Sequence, residues 1–185
     1  MITDEGLFAQ YLSGDDRGLS ELIEKYGNSL IFYINCYVHN LHDAEDLMIE
    51  AFAYLAIKKP RIRDGCFKAY LYKTARNLAI RMAMKNRLRH CFSLEDIKTE
   101  PVSSTLIEEI LQIEERDQTL HRCMHKLKPD YREALYLVYF KGMRHAQAAK
   151  VMGRSEKQVS DLIYRGRKSL RKYLEEEGII DAKYG

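Results

Sequence analysis

Four carboxylates crowd one short stretch of the chain: Asp43, Glu45, Asp46 and Glu50. Clustered carboxylates run acid–base reactions or hold divalent cations when a base, a nucleophile or further ligands face them. Here they fall on one expected helix, with Asp46 and Glu50 a turn apart on its open side. No basic or metal-binding partner accompanies them in the sequence. The positions read as an exposed acidic face suited to docking on a protein.

Two other sets invite a metal reading. Cys36, His39 and His42 fall three apart and can share a helix face, while His121, Cys123 and His125 place two histidines one turn apart. Neither supplies the four compact ligands of structural zinc, so no metal is expected. Cys36, Cys66, Cys91 and Cys123 lack paired spacing and are expected as reduced thiols. There is no Gly-rich phosphate loop, nucleophile elbow or metalloprotease helix. The chain therefore reads as a non-enzyme, with no cofactor and no small-molecule substrate.

The chemistry that the residues do specify is nucleic-acid binding. Ala149, Gly153 and Val159 sit at the offsets of a helix-turn-helix. Ala149 is small, so two helices can cross closely, and Gly153 supplies the positive φ of the turn. Ser155 stands where an N-cap is needed, and Val159, Leu162 and Ile163 return the second helix to a core. The outer face of that helix carries Lys157, Gln158, Ser160, Asp161, Tyr164, Arg165 and Lys168, with Arg167 further along. Such a helix enters the major groove N-terminus first.

A second basic surface lies upstream. Lys58, Lys59, Arg61 and Arg63 crowd a loop, and Lys68, Tyr72, Lys73, Arg76, Asn77 and Arg81 follow on a helix. Cations attract phosphates, an aromatic face stacks on an exposed base, and Asn pairs with adenine edges. A basic solvated helix with Tyr70 and Tyr72 packed in the core is an equal reading of composition. Net charge over the 185 residues is only +3, but its distribution is uneven. Basic blocks at 61–89 and 150–172 flank an acidic one from Glu95 to Asp117, so two anion-binding surfaces are expected.

The elements that position these faces are helical throughout, with no convincing period-two stretch. Leu7, Phe8, Tyr11 and Leu12 make a first helix that ends at Gly14-Asp15. Leu19, Leu22, Ile23, Tyr26, Leu30, Ile34 and Val38 trace a second stripe, with Gly27 inside it. Asp43 is the expected N-cap of a third helix whose Leu47, Met48, Phe52 and Leu55 face inward. Lys58 to Gly65 reads as a loop, and a fourth helix runs from Phe67 to Leu88 with Leu71, Ala75, Leu78 and Met82 inward. Ser93 to Ser104 reads as a linker, Thr105 and Glu108 as a capping pair, and Pro129 as the break before a helix from Tyr131 to Lys141. The expected fold is all-α: helical domains at 1–92 and 116–185 joined by a flexible acidic linker at 93–115, the second domain a helix-turn-helix.

Taken in order, these pieces resemble a family. Leu7-Phe8 with Gly14-Asp15, Asp43-Ala44-Glu45-Asp46-Leu47 with Glu50 and Phe52, and Tyr70-Leu71-Tyr72 leading to Ala75-Arg76-Asn77 resemble domain 2 of bacterial sigma factors of the extracytoplasmic-function group. Leu127 and Pro129, Arg132-Glu133-Ala134, the helix-turn-helix and Arg165-Gly166-Arg167-Lys168-Ser169-Leu170-Arg171 resemble domain 4. The resemblance implies a transcription initiation factor that gives core RNA polymerase its promoter choice. Asp43, Glu45, Asp46, Leu47, Glu50 and Phe52 would then dock on the β′ clamp helices. Lys58 to Cys66 and the helix after it would melt and read the −10 element. Ser155 to Arg171 would read the −35 element, and the acidic linker would thread through the polymerase. Core polymerase, including its β subunit, and promoter DNA are the implied partners, with an anti-sigma factor as an open further one. The chain departs from the family pattern at Ile49, where Gln is usual, at Tyr70, where Trp is common, and at Arg154, Ser160 and Leu162.

The competing reading is a helix-turn-helix transcriptional regulator with a separate helical effector domain. A sensor domain needs an apolar pocket and no second DNA surface, so the basic fourth helix counts against it. The start of the sequence lacks the basic residues and apolar run of a signal peptide, and Asn35 interrupts the longest apolar stretch. A cytoplasmic protein is expected.

Overall fold

The computed structural model describes residues 2–92 and 115–178, and all regular secondary structure among them is helical. The chain splits into two compact units, Met1–Ile110 and Leu111–Gly185. No helix of the described residues is long and apolar enough to cross a membrane. The expected linker up to Glu114 and the pair Thr105 and Glu108 lie outside the described residues.

The first unit contains α1 (Asp4–Leu12), α2 (Arg17–Val38), α3 (Leu41–Lys58) and α4 (Phe67–Phe92). α1 starts where the Thr3 hydroxyl accepts the Gly6 N–H at 3.1 Å, and Asp4 and Glu5 place negative charge against the positive helix end. α2 is the central element and packs on α1, α3 and α4. Having neighbours on several sides widens its buried arc beyond a single stripe. Leu22, Tyr26, Leu30 and Ile34 are buried as expected, Ile31 and Tyr33 join them, and Ile23 is turned to solvent.

The start of α3 differs from expectation. Asn40, not Asp43, is the N-cap: its Oδ1 accepts the Asp43 N–H at 3.0 Å. His39 closes α2 in the left-handed region at φ 53°, and Asn40 follows in extended conformation. The cap therefore falls one residue past that bend, and Asp43 is already helical, where its carboxylate complements the helix dipole. α3 closes at Lys59, also left-handed, and irregular backbone leads to α4. The first amide of α4 is capped from a distance, since Phe67 N–H donates to the Glu5 carboxylate at 2.8 Å. Phe67 is fully buried between Phe8 and Tyr26, with ring centroids 5.5 and 6.2 Å away.

The second unit contains α5 (Glu115–Lys126), α6 (Pro129–Leu135), a π-helical turn (Tyr136–Phe140), α7 (His145–Met152) and α8 (Glu156–Glu176). Pro129 opens α6 instead of preceding it. Its missing N–H would be unbonded there in any case, and its fixed φ suits a first turn. The helix expected from Tyr131 to Lys141 widens into the π turn after Leu135. α8 packs on α5, α6 and α7. Gly166 allows that approach, because a Cβ there would stand 3.2 Å from Leu135 Cδ1 and from Tyr131 Cβ.

Candidate nucleic-acid interface

The helix-turn-helix is formed by α7 and α8. Gly153 ends α7 at φ 65°, φ/ψ space that a side chain rarely occupies. Ser155 opens α8 through a reciprocal pair: its Oγ accepts the Gln158 N–H at 3.2 Å, and Gln158 Oε1 accepts the Ser155 N–H at 2.8 Å. Ala149, Val159 and Ile163 are buried between the two helices and the rest of the unit. Lys157, Gln158, Ser160, Asp161, Tyr164, Arg165, Arg167 and Lys168 are all exposed.

Among the described residues, the side chains of Lys157, Asp161, Tyr164, Arg165, Arg167 and Lys168 make no hydrogen bond, ion pair or ring contact. Four cations therefore stand unneutralised on one helix, which suits phosphate binding. Two neighbours are engaged: Ser160 Oγ lies 3.0 Å from His145 Nδ1, and Arg154 Nη2 donates to Asp130 at 2.6 Å. Leu162 differs from expectation. It is half-exposed and, with Arg154, Gln158, Asp161 and Arg165, lines a shallow groove of about 180 Å³. Val159 and Ile163 already fill the inward arc of α8, which leaves Leu162 at its edge.

In the first unit, Lys58, Lys59, Arg61 and Arg63 are exposed, as are Lys73, Asn77 and Arg81 on α4. The last three recur at four-residue spacing and share one face. Lys68 and Arg76 are half-buried. Tyr72 departs from the stacking role expected of it. It is fully buried, its hydroxyl lies 2.9 Å from Ser29 Oγ of α2, and its ring packs 5.1 Å from that of Tyr33. A base cannot reach that ring unless the unit opens. Tyr70, on the other side, is half-exposed, and burial, with Tyr54 beside it, pushes its phenol up.

On α3, Asp46 and Glu50 are exposed, whereas Asp43 and Glu45 are half-buried. Leu47 and Phe52, expected at the docking face, belong to the core at 3% exposure each. They shape that face from beneath and do not offer it contacts. The residues that sequence reading missed are Tyr54 and Ile57, which with Ile49 stand exposed beside the acidic pair. Their signal was phase: they fall out of step with the inward Leu47, Ala51 and Leu55.

The first metal set is not assembled, and in the second the His121 side chain lies outside those described. Cys36 lies inside α2, His39 at its left-handed end and His42 on α3, so the three do not share a helix face. Cys123 is buried, which pushes its thiol up, while His125 is exposed and lies 3.1 Å from Arg132. No group of three or more possible ligands occurs among the described residues.

Comparison with known proteins covers both units. The family model for sigma-70 region 2 matches residues 22–89, and that for sigma-70 region 4 matches residues 117–170. RNA polymerase sigma-H factor of Pseudomonas aeruginosa is 29% identical over 189 residues, covering 93% of this chain and 94% of that protein. The extracytoplasmic-function sigma factor SigW of Bacillus subtilis is 28% identical over 177 residues, covering 89% and 93%. Among solved structures, CnrH in complex with the cytosolic domain of CnrY has a similar fold, with TM-score 0.63, 22% identity, and coverage of 94% and 97%. The sigma factor RpoE of Bartonella quintana, in complex with the anti-sigma factor NepR, gives TM-score 0.62 at 20% identity, covering 84% and 96%.

Proposed function

The chain belongs to the sigma-70 family, with region 2 in its first unit and region 4 in its second, and from that premise we propose how its faces divide promoter recognition. As a sigma factor it directs core RNA polymerase to promoters, and phosphodiester chemistry belongs to the polymerase. Its place of action is the cytoplasm, where polymerase and chromosome meet.

The observation that carries the division is the free, cationic outer face of α8. Gln158, Ser160 and Asp161 in its first turns face base edges of the −35 element. Arg165, Arg167 and Lys168 lie further along and take phosphates, which add affinity and salt dependence without sequence preference. Lys157 joins one of these sets according to how steeply the helix enters the groove. On the first unit, Lys58, Lys59, Arg61 and Arg63 with Lys73, Asn77 and Arg81 engage the −10 element as its strands part. Asp46 and Glu50, flanked by Ile49, Tyr54 and Ile57, dock on the β′ clamp helices, the apolar residues as an interface core and the acids as its polar rim. The apolar residues give contact area and the acids give orientation.

Two structural neighbours were solved in complex with a second protein, named in one case an anti-sigma factor, and a protein of that kind is a fitting further partner here. Capture of core polymerase by the purified chain is the deciding experiment. Retention of the polymerase, lost on reversing Asp46 and Glu50, supports the reading. A folded chain that binds duplex promoter DNA alone and never retains polymerase describes a helix-turn-helix regulator instead.

A further inference from the structure

We infer that Asp161 is a specificity residue that selects cytosine at one position of the −35 element, an inference resting on the assignment of α8 to that element. Between Glu156 at the start of α8 and Glu175 near its end, Asp161 is the sole acid. It is exposed, and Lys157 and Arg165 lie one turn to either side of it. Yet it pairs with neither, and no other group of the described residues holds it. A carboxylate facing phosphates would be repelled. The second turn of such a helix faces base edges, where an acceptor has a use.

A carboxylate can only accept. In the major groove each base pair offers one amino group, cytosine N4 or adenine N6. The adenine amino group is flanked by N7, an acceptor whose lone pair opposes the second carboxylate oxygen. The cytosine amino group is flanked by C5–H, which carries no lone pair. The acid therefore favours cytosine. Its surroundings fit this role, because Arg165, which pairs with no acid among the described residues, shares the groove and counters its repulsion from the backbone, and Leu162 supplies an apolar wall. Gln158 has the opposite polarity: its Oε1 is held by Ser155 N–H, so its free Nε2 donates.

The test uses holoenzyme reconstituted from core polymerase and the full chain, selecting from duplex promoters randomised across the −35 region. The wild-type chain should enrich cytosine at one position. Asp161→Ala should flatten that position by roughly tenfold and leave the others, as expected for loss of one good contact. Asp161→Asn should move the same position to adenine, since an amide both donates to N7 and accepts from N6. Circular dichroism confirms that each variant is folded. Unchanged cytosine preference in Asp161→Ala, or an equal gain in affinity for every sequence, overturns the inference and leaves the sigma reading intact. A wild-type holoenzyme that enriches no −35 sequence overturns the assignment of α8 and the cytosine inference together.

Discussion

Gln158 Oε1 accepts the Ser155 N–H at 2.8 Å while Gln158 N–H donates to Ser155 Oγ, so one side chain both caps α8 and stands on its outer face. The two roles separate by substitution. Ser155→Ala removes the cap and should cost about 1 kcal/mol, lowering the melting temperature of the second unit by roughly 4–8 °C. Gln158→Glu keeps an acceptor for the Ser155 N–H and adds favourable charge at the helix start, but it removes the Nε2 donor. Its thermal stability should match or exceed the wild type while its choice of −35 base changes. Calorimetry and promoter selection on the same preparation check both; a variant with lowered stability and unaltered base preference would show that Gln158 only caps.

Asp46 and Glu50 sit on an open face above Leu47 and Phe52, which belong to the core. Asp46→Lys with Glu50→Lys should abolish binding to core polymerase, because reversed charge at a docking face costs several kcal/mol. Chain stability should barely move, since exposed charges contribute little to folding. Phe52→Ala should do the reverse and unfold the first unit, with a cavity cost of about 3–5 kcal/mol. Polymerase affinity and urea midpoints measured together separate the two. Unchanged affinity in the folded double variant contradicts the docking role.

Much of this was legible because its causes are local. Ala149, Gly153, Ser155 and Val159 lie within eleven residues, and each meets a steric or capping need set by its immediate neighbours. Tyr72 was legible only as a choice between stacking and core, because helical spacing puts it beside Lys73 and Arg76 without showing that Ser29 and Tyr33 of α2 enclose it. Asn40 was not legible as the cap of α3, since the left-handed His39 that places it leaves no mark in composition. Leu162 and Ile57 reverse the usual rule: both are apolar, and both remain open to solvent to different degrees. How far each buried arc extends depends on how many helices surround it, which periodicity does not encode.

Strand opening should depend on exposed residues of α4 and the loop before it. Asn77→Ala should slow formation of the open complex, by about 1–3 kcal/mol if it holds a freed base, and leave the first unit folded. Tyr72→Phe keeps the buried ring and removes the hydroxyl that bonds Ser29, at about 1 kcal/mol of stability, so opening should proceed. Permanganate reactivity of the −10 strand reads both. Normal reactivity with Asn77→Ala and loss with folded Tyr72→Phe would invert the assignment.

Tyr26 links the first unit to pH. Burial, then its hydrogen bond to Asp4 at 2.5 Å, holds the phenol protonated well above the usual tyrosine range. The unfolded chain therefore releases this proton first, near pH 10. The contribution is fully present below that pH and is lost as pH rises through the higher folded value. Tyr26→Phe should lose about 1 kcal/mol at neutral pH and show a shallower decline in alkali. Urea unfolding between pH 8 and 11 tests this, and parallel declines of the two proteins would refute the coupling.

Promoter-directed transcription by reconstituted polymerase tests the central claim most directly. Core polymerase is supplied with a library of duplex DNA, with and without the full chain, and transcript starts are mapped. The expected result is a discrete set of starts that appears only with the chain and shares one −35 and one −10 sequence at fixed spacing. Asp46→Lys with Glu50→Lys should erase every one of them. Starts that are identical with and without the chain, while the chain alone protects a duplex site, would contradict it.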